Sequence, residues 1–278
     1  MPSAIKVVLN GHFPKGVFSK DIILRILGDI TASGAQYKSL EFTGPAAREM
    51  SLDARFTVAN MALEAGAKCG LFEADEKTAA YYGIPLSEID WIRIDDEAQY
   101  EKVLTYDVST LEPQLSCPQG VDNVYPISEV LGTPMDEVYI GSCTNGSLED
   151  LKAAADILRG KKVANHVRVI VVPATNTVFK EAIEKGYIKG AVLVNSRCRV
   201  SVYGDINFEA CCVISHPCCG LCCGMPYGLM YDDERILLTA NRNFIGRQGT
   251  KKTLGYLSSP AVAAATALTG VVTDPRTL

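Results

Sequence analysis

Between residues 137 and 195, apolar β-branched runs alternate with helix-period stretches, and this alternation narrows the possible folds more than anything else in the chain. Residues 137–140 read as a strand, 147–158 as a helix with Leu148, Leu151, Ile157 and Leu158 inward, and 167–173 as a strand. Residues 177–185 read as a helix closed by Gly186, and 191–195 as a third strand. Strands joined through helices by such short connections lie parallel, in a sheet that the helices cover.

The first third also alternates helices with short apolar runs. Ser19 is expected to cap a helix with Ile22, Ile23, Ile26, Leu27 and Ile30 on one side. A second helix is expected from about Ser51, with Leu52, Phe56, Met61, Leu63 and Ala65 as core positions and Gly70 just past its end. Residues 105–134, rich in Pro, Ser, Gly and Asp, read as the connection between two domains. Residues 260–268 read as a short Ala-rich helix. The chain is 278 residues long, enough for two domains. The expected fold is α/β: two consecutive α/β domains with mainly parallel sheets covered by helices, residues 1–122 and 123–278.

A formal charge of −5 argues against a nucleic-acid surface built on bulk positive charge. No apolar run approaches the ~18 residues that span a bilayer, and the N-terminus lacks the layout of a signal peptide. A soluble, cytoplasmic protein with no nucleic-acid or membrane partner is expected. There are ten cysteines and three histidines (His12, His166 and His216), so thiols are the richer source of chemistry. Six of the cysteines fall between Cys211 and Cys223, which in an intracellular chain points to metal or redox chemistry rather than a disulfide framework.

Four segments carry candidate chemistry. Cys143, in Gly141-Ser142-Cys143-Thr144-Asn145-Gly146, follows a strand and opens a helix at the carboxyl edge of the expected sheet, where α/β ligand sites lie. Backbone N–H groups there suit a metal-bound thiolate, and a buried free cysteine in a tight turn is the plain alternative. Cys219-Gly220-Leu221-Cys222 is a C-x-x-C loop flanked by Cys218 and Cys223. A four-cysteine zinc site and a redox dithiol are its rivals to a cluster held by three thiolates. Arg242 and Arg247, in a Gly- and Asn-rich loop, suit bidentate contacts to carboxylates, or are simply solvated. Asn60 and Glu64 share a helix face with Asp53 and Thr57; a surface pairing of Glu64 with Lys68 is the simpler reading of spacing alone.

Taken together, the Cys143 turn, the C-G-x-C-x-G loop at residues 219–224 and the N-R-N-F-x-G-R run at 241–247 resemble the aconitase superfamily. The likeness is to the large-subunit branch that acts on isopropylmalate and homoaconitate, of the archaeal type. Residues 111–114, 121–124 and 273–276 fit that branch, and residues 11–24 and 60–64 continue the likeness over nearly the whole chain. The resemblance implies a [4Fe–4S] cluster on Cys143, Cys219 and Cys222, whose free iron binds a substrate hydroxyl and carboxylate. It implies substrate-binding roles for Arg242 and Arg247, a place beside the cluster for Asn241, and active-site roles for Asn60 and Glu64.

Several features depart from the family pattern. The family's Asp-His and Asp-Ser-His elements are missing from the sequence, and Met1 falls about where the domain bearing them would end. The mobile swivel domain that supplies the family's catalytic serine is missing too. Residues 196–212 look like an insertion, and Cys211, Cys212, Cys218 and Cys223 are extra thiols. The expectation is therefore the cluster-bearing core of a hydro-lyase for a small 2-hydroxy di- or tricarboxylate, with separate chains supplying the N-terminal and swivel domains. A non-enzymatic iron–sulfur or metal-binding protein of the same descent, and an incomplete gene product, are the alternatives.

Overall fold

The computed structural model describes residues 3–95, 97–188, 212–224 and 228–278. The chain forms two compact units, Met1–Glu112 and Pro113–Leu278. Each is an α/β unit with a mainly parallel sheet flanked by helices. The division lies ten residues before the expected 122/123 boundary. Within the expected connection, Thr105 belongs to a strand of the first unit, while residues 114–116 and 124–126 are strands of the second. Three-residue strands are too short to show a period, which is why the region reads as a loop.

The first unit contains β1 (Ala4–Asn10), β2 (Ser39–Thr43), β3 (Cys69–Phe72) and β4 (Lys102–Asp107), all parallel, in the order β3-β2-β1-β4. In β1 the alternate residues Ile5, Val7 and Leu9 are buried. Helix α1 (Ser19–Ile30) buries the expected isoleucines and Leu27. Its cap differs from expectation: Phe18 holds the N-cap position, its N–H donating to Asp21 Oδ2 at 2.7 Å, and Ser19 is already helical. A short α2 (Pro45–Glu49) precedes α3 (Leu52–Met61), which Ser51 caps by accepting the Ala54 N–H at 3.1 Å. Helix α4 (Glu76–Tyr82) completes the unit.

Along α3 the expected core mixes two faces. Met61 and Ala65 are buried beside Val58, whereas Phe56 and Leu63 are 47% and 48% exposed. At 3.6 residues per turn those two lie across the helix from Val58 and Met61, so both sets cannot face inward. The helix tightens to a 3-10 turn at Ala62–Ala65, and Gly66, at φ +80°, ends it. Gly70, expected to do so, lies within β3. Among the described residues, no helix is long and apolar enough to cross a membrane.

The second unit contains β5 (Gln114–Ser116), β6 (Val124–Pro126), β7 (Glu137–Gly141), β8 (Arg168–Val172), β9 (Cys212–Ile214), β10 (Arg235–Leu238) and β11 (Leu254–Leu257). Their order is β6-β5-β11-β10-β7-β8-β9, with β5 and β6 antiparallel at one edge. Around the sheet run α5 (Ser142–Asn145), α6 (Leu148–Leu158), α7 (Asn176–Glu184) and α8 (Pro260–Thr269). The expected strand at 191–195 and most of the expected insertion lie outside the described residues. The strand that pairs with β8 is β9, which begins at buried Cys212. Of the residues expected inward on α6, Leu151 and Leu158 are buried, while Leu148 and Ile157 pack at the core's margin. Helix α8 is mainly apolar and buried from Pro260 to Ala267, packing against β7 and α6.

Glu137 opens β7 fully buried; its Oε2 accepts from Arg168 Nε at 2.8 Å, and its Oε1 has no hydrogen-bond partner among the described residues. Burial pushes its carboxyl from the ordinary 4.5 up to about 7, and the Arg168 guanidinium pulls it back only in part. The folded state therefore holds this proton more tightly than the unfolded chain. The resulting stability is full below that ordinary value and is lost as pH rises through the folded one. Glu137→Gln is expected to flatten that fall. Urea midpoints measured across this range would show it, and equal slopes in parent and variant would refute it.

Candidate functional site

The second sheet has a single reversal of strand order among its parallel strands. From β7 the chain proceeds outward to β8 and β9, then returns to place β10 and β11 on the other side of β7. Loops leaving the carboxyl ends of β7 and β10 diverge there and open the crevice in which α/β folds place ligands. The loop after β7 carries Cys143, and the loop after β10 carries Asn241, Arg242 and Arg247. Spacing had located the first of these at a strand end. The return of β10 beside β7 was not legible, because four residues show no reliable period.

Gly141 and Ser142 shape the first loop. Both are left-handed, at φ +131° and +85°, and both are buried. A Cβ on Gly141 would sit 1.9 Å from the Val172 carbonyl oxygen, and one on Gly146 2.5 Å from the Ser142 carbonyl oxygen. The two glycines let the chain wrap closely against β8, and α5 follows, only four residues long. Ser147 then caps α6 by accepting the Asp150 N–H at 3.2 Å, and Asp150 Oδ2 accepts the Ser147 N–H at 3.1 Å. Asp150 Oδ1 also accepts from Asn145 Nδ2 at 3.1 Å, so α6 anchors the far end of the turn. Cys143 itself is exposed.

The C-x-x-C loop rests on β7 as well. Tyr139, two residues before Gly141 and fully buried, donates its hydroxyl to the Cys219 carbonyl at 3.3 Å. Gly220, at φ +48°, lies so close that a Cβ would fall 2.6 Å from the Tyr139 oxygen. Burial raises the Tyr139 phenol, with the thiols of Cys218, Cys222, Cys219 and Cys223 adding to it. The Cys219 thiol is raised in turn, first by burial and then by Cys143, Cys223 and Cys222. Cys143 and Cys222 thus each lie within electrostatic reach of Cys219. Among the described residues, however, no three His, Cys, Asp or Glu side chains are gathered as a single metal ion requires.

The arginine loop is tied to the C-x-x-C loop. Arg247 Nε donates to the Cys222 carbonyl at 2.7 Å, so part of its guanidinium holds the cysteine loop. Gln248 Nε2 donates to the Arg242 carbonyl at 2.7 Å. Asn243 Nδ2 reaches Ser116 Oγ, the Cys117 carbonyl and the Gly255 carbonyl at 2.9–3.1 Å, anchoring the loop to β5 and β11. Asn241 is buried, and its Oδ1 has no hydrogen-bond partner among the described residues. Asn60, on α3, and buried Glu64, in the 3-10 turn after it, belong to the first unit. Cys211 lies outside the described residues; Cys218 and Cys223 are exposed.

This donor set fits an iron–sulfur centre. Burial and neighbouring thiols disfavour the Cys219 thiolate, and a cationic centre would offset that penalty by binding it as a thiolate. The unmatched Asn241 amide oxygen leaves buried polar capacity on the same loop system. Tyr139 is the neighbour of the cysteine loop that sequence reasoning missed. Gly220 was its only trace, since a glycine can mark a backbone that another group approaches closely.

The sequence pattern of the aconitase family (aconitate hydratase) matches residues 1–137 and 130–270. The chain is 45% identical, over 278 residues, to 3-isopropylmalate dehydratase large subunit 2 of Archaeoglobus fulgidus, covering 99% of this chain and 63% of that protein. It is 44% identical to the 3-isopropylmalate dehydratase large subunit of Nitratidesulfovibrio vulgaris, covering 100% and 63%. The probable 3-isopropylmalate dehydratase large subunit of Methanosarcina mazei is 43% identical, with 99% and 63% covered. The chain therefore spans about 63% of the length of these relatives.

Proposed function

Because the chain belongs to the aconitase family, we propose that it is the cluster-bearing core of a hydro-lyase that isomerises or hydrates a small 2-hydroxy di- or tricarboxylate. The observation that carries this reading is the placement of the Cys143 loop and the arginine loop on the two sides of the crevice at the strand-order reversal between β7 and β10. Cys143, Cys219 and Cys222 would hold a [4Fe–4S] cluster, as family members usually do, with Asn241 beside it. When bound, such a cluster supplies a Lewis-acidic iron that makes hydroxide a better leaving group.

The chain's own groups do the rest of the binding. Arg242 presents a planar fork to a substrate carboxylate and fixes its orientation. Arg247 divides its guanidinium between a carboxylate and the Cys222 carbonyl that it already holds. Glu64 is the carboxylate proposed to move the proton at substrate carbon, and Asn60, four residues earlier, is proposed as a second catalytic residue. The substrates considered are isopropylmalate, homocitrate and citrate, the first favoured by the names of the relatives. Those names also designate a large subunit, so the partner proposed is a small-subunit chain carrying the swivel domain. A cytoplasmic setting suits a protein whose described cysteines are free thiols.

Arg242→Lys tests the carboxylate assignment. Lysine keeps the charge and loses the fork, so the loss of a charge-assisted contact of about 1.5–3 kcal/mol is expected. Calorimetric titration of the anaerobically reconstituted protein with isopropylmalate, citrate and homocitrate should show weaker binding at unchanged iron content. Equal affinities would refute the role. Arg247→Lys is a poorer test, because it also releases the cysteine loop.

A further inference from the structure

Thr239 directly follows β10 and is fully buried. Its N–H donates to the Tyr139 carbonyl at 3.0 Å, carrying the β10–β7 ladder one residue past the strand. Its side chain then bonds Gly141 twice. The hydroxyl accepts the Gly141 N–H at 2.7 Å and donates to the Gly141 carbonyl at 3.0 Å. One side chain thereby satisfies both backbone groups of the residue at which β7 turns into the Cys143 loop.

That residue is also where the backbone is least free to choose its own path. Gly141 and Ser142 are consecutive left-handed residues, a conformation that persists only where surrounding structure imposes it. The Val172 carbonyl blocks one side of Gly141, and Thr239 holds the other. Ser142 and then Cys143 follow with no further residue to correct an error in direction. A small rotation at Gly141 therefore redirects the thiol.

We propose that Thr239 is the positioning residue for Cys143: its hydroxyl sets the direction in which the turn presents the thiol to the crevice between β7 and β10. The consequence for iron binding rests on the reading of Cys143 as a cluster ligand, whereas the orientation of the thiol does not.

The test uses the full chain, free of cluster, and three variants. Thr239→Val keeps the shape and loses both hydrogen bonds, Thr239→Ala loses them and leaves space, and Thr239→Ser keeps both. Alkylation by iodoacetamide is followed separately at Cys143 and Cys219 by mass spectrometry. Thr239→Val is expected to change the rate at Cys143 by about tenfold while Cys219 keeps its rate, and Thr239→Ser to match the parent. Thr239→Ala carries the same expectation and stands in if the valine protein does not fold. An unchanged Cys143 rate overturns the proposal, as does an equal change at both thiols, which marks general loosening. A serine protein that departs from the parent overturns it whatever the other variants do. Cys143→Ser, reconstituted anaerobically, separates the two readings. If it binds iron like the parent, Cys143 is no ligand, and the alkylation contrast still decides the role of Thr239.

Discussion

A Gly141→Ala protein is expected to lose at least about 4 kcal/mol of stability, enough to leave much of it unfolded. The new methyl carbon would lie 1.9, 2.7 and 2.9 Å from the oxygen, carbon and nitrogen of Val172. These are backbone atoms of β8, which the ladder with β7 holds from Glu137↔Arg168 to Gly141↔Val172. Nothing flexible can move aside, and φ +131° is a conformation that alanine resists even in open space. Gly132→Ala separates these causes. At φ +79° with nothing within 4 Å, it should cost only the left-handed conformation, about 1–2 kcal/mol. Urea denaturation of both variants measures the contrast. A Gly141→Ala protein as stable as Gly132→Ala would mean that the Cys143 turn relaxes freely.

Cys219→Ser is expected to abolish most cluster binding. Anaerobic reconstitution of the parent with iron and sulfide should give a broad visible absorbance. Serine replaces a soft thiolate with a weak oxygen donor, and loss of a direct ligand should lower iron retention by at least the 10–100-fold, roughly, that follows loss of a supporting residue. Cys223→Ser is the matched control: it removes a neighbouring thiol, raises no expectation of cluster loss, and relieves some of the crowding at Cys219. Stoichiometric zinc in the parent with no capacity for iron would overturn the assignment, as would equal iron in parent and Cys219→Ser. Protein handled in air tests neither variant, since exposed thiols oxidise readily.

Much of the site was legible because its pieces are local. Cys143 stands out by following a strand and preceding a helix, and Cys219 and Cys222 by their spacing around Gly220. Arg242, Arg247 and Asn241 belong to one continuous run. What was not legible is how these pieces are held. The hydroxyl of Thr239 and the backbone of Gly141 are 98 residues apart, and Tyr139 and Cys219 are 80 apart. Nothing near Arg247 in the sequence indicates that its Nε serves the Cys222 carbonyl. The face of α3 was misjudged for a related reason. Phe56 and Leu63 are as apolar as Met61, and only the packing partner decides which stripe turns inward.

The sequence by itself determined the α/β class, the alternation through β7, α6, β8 and α7, the glycine-bearing turns and the thiols that they present. Each of these depends on the backbone preferences of neighbouring residues and on the period of apolar side chains, which adjacent positions suffice to encode. Tertiary structure alone decided that β10 returns beside β7, that the second unit opens just before β5, ten residues ahead of the expected boundary, and that Thr239 and Tyr139 support the two cysteine loops. Strands of three or four residues encode no order among themselves. Their neighbours are chosen by which pairing buries the most apolar surface and satisfies the backbone, and that choice is made by the whole sheet at once.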